Sequence, residues 1–278
     1  CADAAMGCTS TDVNIGYTFG EAVITKWAKN PSKWVAVTSS GYNNVSPGDG
    51  VGRVFVIDIE TGAILDQIST AAGDTTTPSG VAKLTGYAID FSLDNTAEFI
   101  YGGDLLGNVW RYDMTNMSAQ RIGQTLDASS PPQAQPITAA VDVTRFDAGF
   151  NVIYVGTGRL LGLSDVTDLA QQSVYGFKDT GADLGVLRQP AAKLVQQTIS
   201  IVDGATRTIS NNAVDWSTQN GWYVDFNPSS QSPGERVTLD LQLVRGVLLV
   251  ATNVPETDTA CAAGGVSWTY QFDYSSGS

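Results

Sequence analysis

The chain has 278 residues, a formal net charge of −13 and no histidine. Its 15 lysine and arginine residues are scattered, whereas nucleic-acid-binding proteins cluster such residues to neutralise phosphates, so the composition argues against nucleic-acid binding. The lack of histidine excludes Ser-His-Asp and Cys-His catalysis. A hydrophobic content of 42% suffices for a buried core, and 29 glycines together with runs of Val, Ile, Thr, Tyr and Trp favour an all-β fold.

The N-terminal part of the chain predicts a first group of strands. Residues 1–15 are small and polar, and we expect them to form a loosely ordered segment before a single domain over residues 16–278. Residues 41–52 are rich in glycine, asparagine and proline and predict an irregular loop. Four apolar runs on the two sides of this loop predict the strands of one sheet: 22–25, 34–38, 54–57 and 64–69.

The clearest local signal is a β-hairpin over residues 99–113. Two aromatic and apolar runs enclose a segment that ends in Gly107 and Asn108. Glycine and asparagine accept the positive φ that tight turns require, so this segment predicts two antiparallel strands joined by a turn. We place the hairpin in a second sheet, at about residues 80–126, which a Ser-Ser-Pro-Pro-Gln linker at 129–133 separates from a third.

The second half of the chain predicts two further sheets. The third covers about residues 136–202. The last sheet contains apolar runs at 242–252 and 267–274, the second of which we expect to close it. Residues 222–226 form another apolar run, which we place as an extra strand in the last quarter of the chain.

An aromatic or apolar run that ends in an aspartate repeats along the chain, often followed by Thr/Ser-Gly. The intervals between these aspartates are 55, 66, 46 and 48 residues, and the longest indicates an insertion around residues 160–172. Self-similarity at roughly 40 to 50 residues with several strands per repeat is typical of propeller blades. We therefore predict an all-β, quinoprotein-like β-propeller with about four blades in this chain, and leave open whether they belong to a larger ring. The repeated aspartates are Asp58, Asp113, Asp179, Asp225 and Asp273.

One loop carries oxygen-bearing side chains at alternate positions, an arrangement that can wrap Ca²⁺, which takes six to eight oxygen ligands. The pattern has no turn glycine, Ser92 is a weak ligand, and the twelfth position from Asp90 is Tyr101 rather than a bidentate glutamate. Two interpretations stay open, a calcium site and an acidic turn between blade strands, and the acidic turn is the simpler. The candidate ligands are Asp90, Ser92, Asp94, Thr96 and Glu98.

The cysteines lie near the two ends of the chain, at Cys1, Cys8 and Cys261. In an exported protein, one disulfide, either Cys1–Cys8 or Cys8–Cys261, would leave one thiol free or paired externally. We expect no zinc site, because there is no histidine and no C-x-x-C pair. The sequence shows no transmembrane run and no signal peptide, and we take it to be part of a longer protein.

Local patterns suggest two other functions. The segment 58–62, Asp-Ile-Glu-Thr-Gly, is similar to a blade turn of pyrroloquinoline-quinone dehydrogenases, which makes a quinoprotein-like periplasmic dehydrogenase the alternative function. The adjacent cysteines of those enzymes do not occur, so an aspartate-capped turn explains the segment better. Tryptophans could line a carbohydrate groove, but most fall in strand patterns and are predicted to be core: Trp27, Trp34, Trp110, Trp216, Trp222 and Trp268.

Five segments taken in order carry a family resemblance: 16–25, 37–44, 101–113, 154–162 and 212–217. The most specific part is Gly-Gly-Asp-Leu-Leu-Gly-Asn-Val-Trp-Arg-Tyr-Asp at 102–113, where many small and aromatic residues coincide in order. Over about residues 16–274 the chain resembles the C-terminal β-propeller of the PilC/PilY family, the tip-associated adhesins and biogenesis factors of bacterial type IV pili.

The resemblance implies an exported protein at the cell surface or pilus tip, associated with the outer membrane or periplasmic in transit. Its propeller would dock on minor pilins, support pilus assembly against retraction, and present an N-terminal adhesin region, absent here, to host cells or abiotic surfaces. The resemblance also implies a calcium loop that regulates extension, retraction and thus twitching motility. The residues that look equivalent are Asp90, Ser92, Asp94, Thr96 and Glu98, with Ser92 replacing an acidic residue and Glu98 the final aspartate.

We therefore expect a non-enzymatic binding module of a pilus-tip adhesin. A purely structural β-scaffold, whose partner is its own N-terminal region, is a further alternative. The Arg-Gly-Asp integrin motif of some family members does not occur in the sequence.

Overall fold

A computed structural model describes residues 11–90, 93–256 and 265–278. The chain divides into two compact units, Cys1–Ile122 and Gly123–Ser278. All three cysteines lie outside the described residues, so the disulfide pairing stays a prediction, as does the domain boundary at residue 16. In the described part of the chain, no helix has the length and apolar character that a membrane crossing requires.

Within residues 11–90 and 93–124, the strands form two sheets, with the orders β4-β3-β2-β1-β6 and β5-β7-β8-β9. Strands β1 to β4 form an antiparallel meander, and β6 adds to β1 in parallel. The four strands predicted for the first sheet and the hairpin β7–β8 are confirmed. The strands are β1 Val23–Trp27, β2 Asn30–Ser39, β3 Arg53–Asp58, β4 Ile64–Ser69, β5 Leu84–Tyr87, β6 Thr96–Ala97, β7 Phe99–Gly103, β8 Asn108–Asp113 and β9 Ser118–Gln124.

Alternation along the strands builds the core of the first unit. On β2, Val35 and Val37 are fully buried, whereas Trp34 points the other way and is 40% exposed. These valines pack in one cluster with Ile100 of the second sheet. The sheets approach closely at Gly86, where a Cβ atom would lie 2.6 Å from a methyl group of Val23, so a side chain would push the sheets apart.

The described residues of the second unit form three sheets. One has the order β10-β11-β12-β16-β13, a second is the hairpin β14–β15, and in the third β17 and β18 flank one side of β19 while β20 pairs with the other. The elements are β10 Asp142–Arg145, β11 Asn151–Gly156, α1 Leu163–Val166, β12 Ser173–Lys178, β13 Leu194–Gln197, β14 Ile199–Ile201, β15 Arg207–Ile209, β16 Gly221–Asp225, β17 Arg236–Val237, β18 Gln242–Val244, β19 Val247–Pro255 and β20 Gly265–Asp273.

The prediction for residues 222–226 is wrong in its sheet. Strand β16 is not an extra strand of the last quarter but pairs antiparallel with β12, so the third predicted sheet ends at Asp225 rather than near residue 202. The segment between these two strands contains β13, which pairs parallel with β16, and the separate hairpin β14–β15. The insertion predicted around residues 160–172 contains α1.

Trp222 lies at the centre of the second unit's core and is fully buried. The ring centroids of Tyr154 and Phe272 lie 6.2 and 5.9 Å from that of Trp222. Glycines make room for the indole, since a Cβ atom would lie 2.6 Å from it at Gly176 and 2.3 Å from it at Gly277. The sheet of β12 and β16 is therefore fitted closely to the sheet of β19 and β20 around one large side chain.

A buried arginine holds the loop that contains α1. Arg236 is 3% exposed, and its Nη1 donates to the backbone carbonyls of Arg159 (2.9 Å) and Asp165 (2.5 Å), while its Nη2 donates to that of Asp168. The carboxylate of Asp165 closes the loop by accepting from Arg159 Nε at 2.8 Å. The same loop carries large apolar side chains that are 39% to 91% exposed: Leu160, Leu161, Leu163 and Leu169.

Candidate functional site

The predicted calcium loop places Asp94 beside a cation. Asp94 Oδ1 lies 3.2 Å from Lys26 Nζ and accepts a 2.8 Å hydrogen bond from Thr96 Oγ1. The Thr96 hydrogen bond and the Lys26 ammonium lower the pKa of the Asp94 carboxyl. A lysine at this distance repels a divalent cation, so Asp94 would have to exchange Lys26 for Ca²⁺ to become a ligand.

The other predicted ligands have separate roles. Glu98 Oε2 accepts a 2.8 Å hydrogen bond from the Ile89 amide, and the Asp90 carbonyl accepts from the Asp94 amide at 3.0 Å. Ser92 lies outside the described residues. The described residues include no group of three His, Cys, Asp or Glu side chains placed to hold a metal ion. An acidic turn accounts for these contacts, and the calcium site stays a prediction.

Three of the repeated aspartates cap turns at strand ends with the same pair of hydrogen bonds. At Asp58, Asp113 and Asp273, Oδ1 accepts hydrogen bonds of 2.8 to 3.1 Å from the backbone amides two and three positions later. Gly62 and Gly277 then take φ values of +70° and +72°. Their amides donate hydrogen bonds to the backbone carbonyls of Asp58 and Asp273. The segment 58–62, which suggested a dehydrogenase, is thus a turn between β3 and β4.

Asp179 Oδ1 accepts from the Gly181 amide, two positions later, at 2.9 Å, as in the capping pattern. One member of the repeat differs. Asp225 caps no turn: its Oδ1 accepts from Arg188 Nη2 and, at 2.6 Å, from Ser173 Oγ. The sequence run ending in Asp225 therefore matched the repeat without sharing its turn.

Asp104 is a buried carboxylate inside the hairpin turn between β7 and β8. Its oxygens accept hydrogen bonds of 2.8 to 3.0 Å from the side chains of Ser79, Asn108 and Trp110 and from the amides of Leu106 and Asn108. Burial raises the pKa of Asp104, and the hydrogen bonds from Asn108 and Trp110 oppose that effect. Sequence reasoning recognised the turn but missed this carboxylate as its centre.

The second unit holds a pocket of about 430 Å³, large enough for a small ligand. Trp268 of β20 and Arg207 of β15 line it, and the turn between β14 and β15 contributes Asp203. Gln231 lies on the rim and is exposed. The pocket thus combines one aromatic side chain with several polar groups.

A buried charge network shares Arg207 and Ser232 with the lining of this pocket. The side chain of Glu235 is fully buried and forms an ion pair with Arg207 at 2.7 Å. Glu235 also accepts hydrogen bonds from Ser232 Oγ (2.6 Å), Thr252 Oγ1 (2.7 Å) and Tyr270 Oη (2.7 Å). Burial, followed by the nearby Glu235 charge, raises the pKa of Tyr270, so its phenol stays protonated and donates. Sequence reasoning missed Glu235, whose partners come from four separate segments.

The tryptophans fall into three groups. Trp27, Trp110 and Trp222 are buried, as the strand patterns predict. Trp216 packs against Phe146, with ring centroids 5.0 Å apart. Trp34 is exposed on β2, and Trp268 is partly buried and lines the pocket.

Antiparallel meanders whose strands end in aspartate-capped turns define an all-β protein of the propeller class. The model of one protein family, described as the PilY1 beta-propeller domain, matches residues 2–212. The chain therefore belongs to the family of PilY1 β-propeller domains, and the all-β fold class and the family resemblance predicted from the sequence are confirmed.

Curated relatives extend this match to nearly the whole chain. The chain is 28% identical, over 97% of its length, to a type IV pilus biogenesis factor PilY1 homolog of Xylella fastidiosa. It is 30% identical, over 94% of its length, to the type IV pilus biogenesis factor PilY1 of Pseudomonas aeruginosa strain PAO1. The chain spans only 19% and 25% of the lengths of these two relatives.

A solved structure supports the same fold. The crystal structure of the Pseudomonas aeruginosa PilY1 C-terminal domain matches with a TM-score of 0.77 and 25% identity. The match covers 96% of this chain and 61% of that domain.

Proposed function

We propose that this domain acts in type IV pilus biogenesis as a non-enzymatic docking module. It is exported to the pilus tip, where it binds minor pilins, supports assembly against retraction and aids adhesion to host cells or abiotic surfaces. The observation that carries this proposal is the family match over residues 2–212, together with relatives that are named type IV pilus biogenesis factors. Because those relatives are four to five times longer, the domain would act with its own N-terminal adhesin region.

The construction of the domain suits docking under load. Buried hydrogen-bonded carboxylates fix the turn at Asp104, and aspartate caps fix the turns after Asp58, Asp113 and Asp273. Loops held in this way keep their shape when a partner pulls on them, and binding costs less ordering entropy.

A capture experiment with purified minor pilins tests the docking proposal. An affinity-tagged chain should retain the minor pilins on a resin, because a folded loop face is expected to recognise them. Trp222→Ala, which empties the centre of the second unit's core, is the control and should lose capture together with its fold. Minor pilins that pass through a resin loaded with folded wild-type chain would contradict the proposal.

The calcium site is a separate proposal. We infer that Ca²⁺, where it binds, is held by Asp90, Ser92, Asp94, Thr96 and Glu98 after Asp94 has released Lys26. The support is the run of oxygen donors at alternate positions and its resemblance to the family's loop.

Calorimetric titration with Ca²⁺ tests this site. Wild-type chain should release or absorb heat with a saturating isotherm, whereas an Asp90→Ala/Asp94→Ala double variant should not. Asp66→Ala, at another lysine-paired aspartate, is the matched control and should bind as wild type does. Identical flat traces for wild type and double variant would remove calcium from the account.

A further inference from the structure

The pocket in the second unit has the composition of a sugar site. A pyranose ring offers an apolar C–H face, which packs on an aromatic ring, and an edge of hydroxyl groups, which bond to carboxylate and amide groups. Trp268 supplies the aromatic ring, and Asp203 and Gln231 supply the carboxylate and the amide. Apolar side chains of Val254 and Val266 complete one wall.

The aromatic ring in this pocket is held in place by a neighbouring arginine. The Arg207 guanidinium lies 3.6 Å from the centroid of the Trp268 ring, a cation–π contact. Arg207 is itself fixed by fully buried Glu235, whose carboxylate also engages Tyr270 of the same strand as Trp268. A pre-positioned ring binds a ligand without first paying for its own ordering, as a built recognition site requires.

The charged groups around the pocket indicate which class of ligand it can bind. The Arg207 side chain is 5% exposed and its charge is compensated by Glu235 at 2.7 Å, so the pocket does not offer an open cation to a phosphate or carboxylate. Asp203 at the rim and the net charge of −13 disfavour anions further. We propose that this pocket binds a neutral hexopyranose unit of a surface saccharide.

This inference deepens the adhesion part of the proposed function, on which its biological role rests. Saccharide binding itself is a property of the chain alone and can be measured without pilins.

Saturation-transfer difference NMR on the 278-residue chain tests the proposal. The probes are methyl α-D-mannopyranoside, methyl β-D-glucopyranoside and methyl β-D-galactopyranoside. Wild-type chain should transfer saturation to the ring C–H protons of at least one of them. Gln231→Ala and Asp203→Ala should each weaken binding about tenfold through loss of a hydrogen bond.

Two tryptophan variants distinguish glycoside binding in the pocket from binding elsewhere on the surface. Trp268→Ala should abolish transfer, and Trp34→Ala, at an exposed tryptophan of the first unit, should leave it unchanged. Gln231 is exposed, so Gln231→Ala keeps the test decisive if Trp268→Ala does not fold.

Two outcomes would overturn the inference: no transfer to any glycoside, or transfer that both Trp268→Ala and Gln231→Ala leave intact. Failure of minor pilin capture by a chain that still binds a glycoside would sink the docking proposal alone. Pilin capture by a chain that binds no glycoside would sink the saccharide site alone.

Discussion

Asp104 is the acceptor that holds the turn between β7 and β8 together. It is fully buried, and five hydrogen bonds from Ser79, Leu106, Asn108 and Trp110 converge on its two oxygens. Removing such an acceptor leaves several buried donors without a partner, and each of those retains its desolvation cost.

We predict that Asp104→Ala destabilises the protein by about 3 kcal/mol, because it leaves the buried donors of Ser79, Asn108 and Trp110 without their acceptor. Urea unfolding followed by circular dichroism measures the change. Asp66→Ala removes the half-buried partner of exposed Lys29 and should cost less than about 1 kcal/mol. Equal midpoints for the two variants would show that the Asp104 hydrogen bonds contribute little.

Gly277 and Gly246 form a matched pair for a steric prediction. Both have positive φ, at +72° and +83°, but an added Cβ would lie 2.3 Å from Trp222 at Gly277 and 3.5 Å from Tyr274 at Gly246. Gly246→Ala should cost about 1 kcal/mol from backbone strain alone. Gly277→Ala should cost about 3 kcal/mol or more, because the indole must also move. Chemical denaturation measures both, and equal losses would mean that Trp222 shifts freely.

The sequence predicted hydrogen bonds between residues close in sequence better than those between residues distant in sequence. The aspartate turns could be predicted because their donors lie two or three residues away, as at Asp113. Asp225 shares the sequence pattern but takes Arg188 and Ser173 as partners, which are distant in sequence. Glu235 gave no signal, since its surroundings assemble only when several strands meet.

At the scale of the element, the aspartate-capped turn joins successive strands. Burial raises the pKa of Asp113, but hydrogen bonds from Asn116 and Thr115 outweigh burial and leave it lowered. The same balance lowers the pKa of Asp273, whose opposing donors are Ser275 and Ser276. Each folded turn therefore favours the ionised carboxylate.

A lowered pKa in the folded state fixes the sign of the pH dependence. The turns contribute their stability above the unfolded aspartate pKa of about 3.9 and lose it as the pH falls through the lower folded values. Unfolding free energies measured between pH 5 and pH 2 should therefore fall toward acid. Asp113→Asn cannot titrate and should give a shallower fall, while Glu21→Gln, an exposed change outside these turns, should follow wild type. A profile for Asp113→Asn as steep as that of wild type would contradict this assignment.

The pairing of strands could be predicted where the partners are close in sequence, and less well where they are distant. The meander β1 to β4 follows from alternating apolar residues and short connections. Strand β16 has an equally clear apolar pattern, but a long segment separates it from its partner β12. Hydrophobic periodicity identifies a strand and the face that it buries. It does not indicate which strand is the pairing partner when a long segment separates the two.

At the scale of the whole molecule, the two units have separate cores. The core cluster of the first unit is built from residues such as Val37, Ile100 and Tyr112, and that of the second from residues such as Trp222 and Phe272. Loss of a strand from one unit should therefore be felt first in that unit's own core.

Deletion of residues 266–278 tests this directly. It removes most of β20, including the buried rings of Tyr270 and Phe272. We predict a lower melting temperature and rapid proteolysis of the second unit, while a fragment containing the first unit's core survives digestion. Leu163→Ser, at a side chain that is 91% exposed, should melt as wild type does. A deletion variant that melts at the wild-type temperature would refute the prediction.

The anchor at Arg236 holds its loop through carbonyl oxygens, which every amino acid possesses. These hydrogen bonds therefore depend on the backbone conformation of the loop and do not depend on most of its side chains. The leucines at 160, 161, 163 and 169 can be exchanged for other residues while the loop keeps its course. This loop is thus a place where the domain can acquire a new outer surface without rebuilding its sheets.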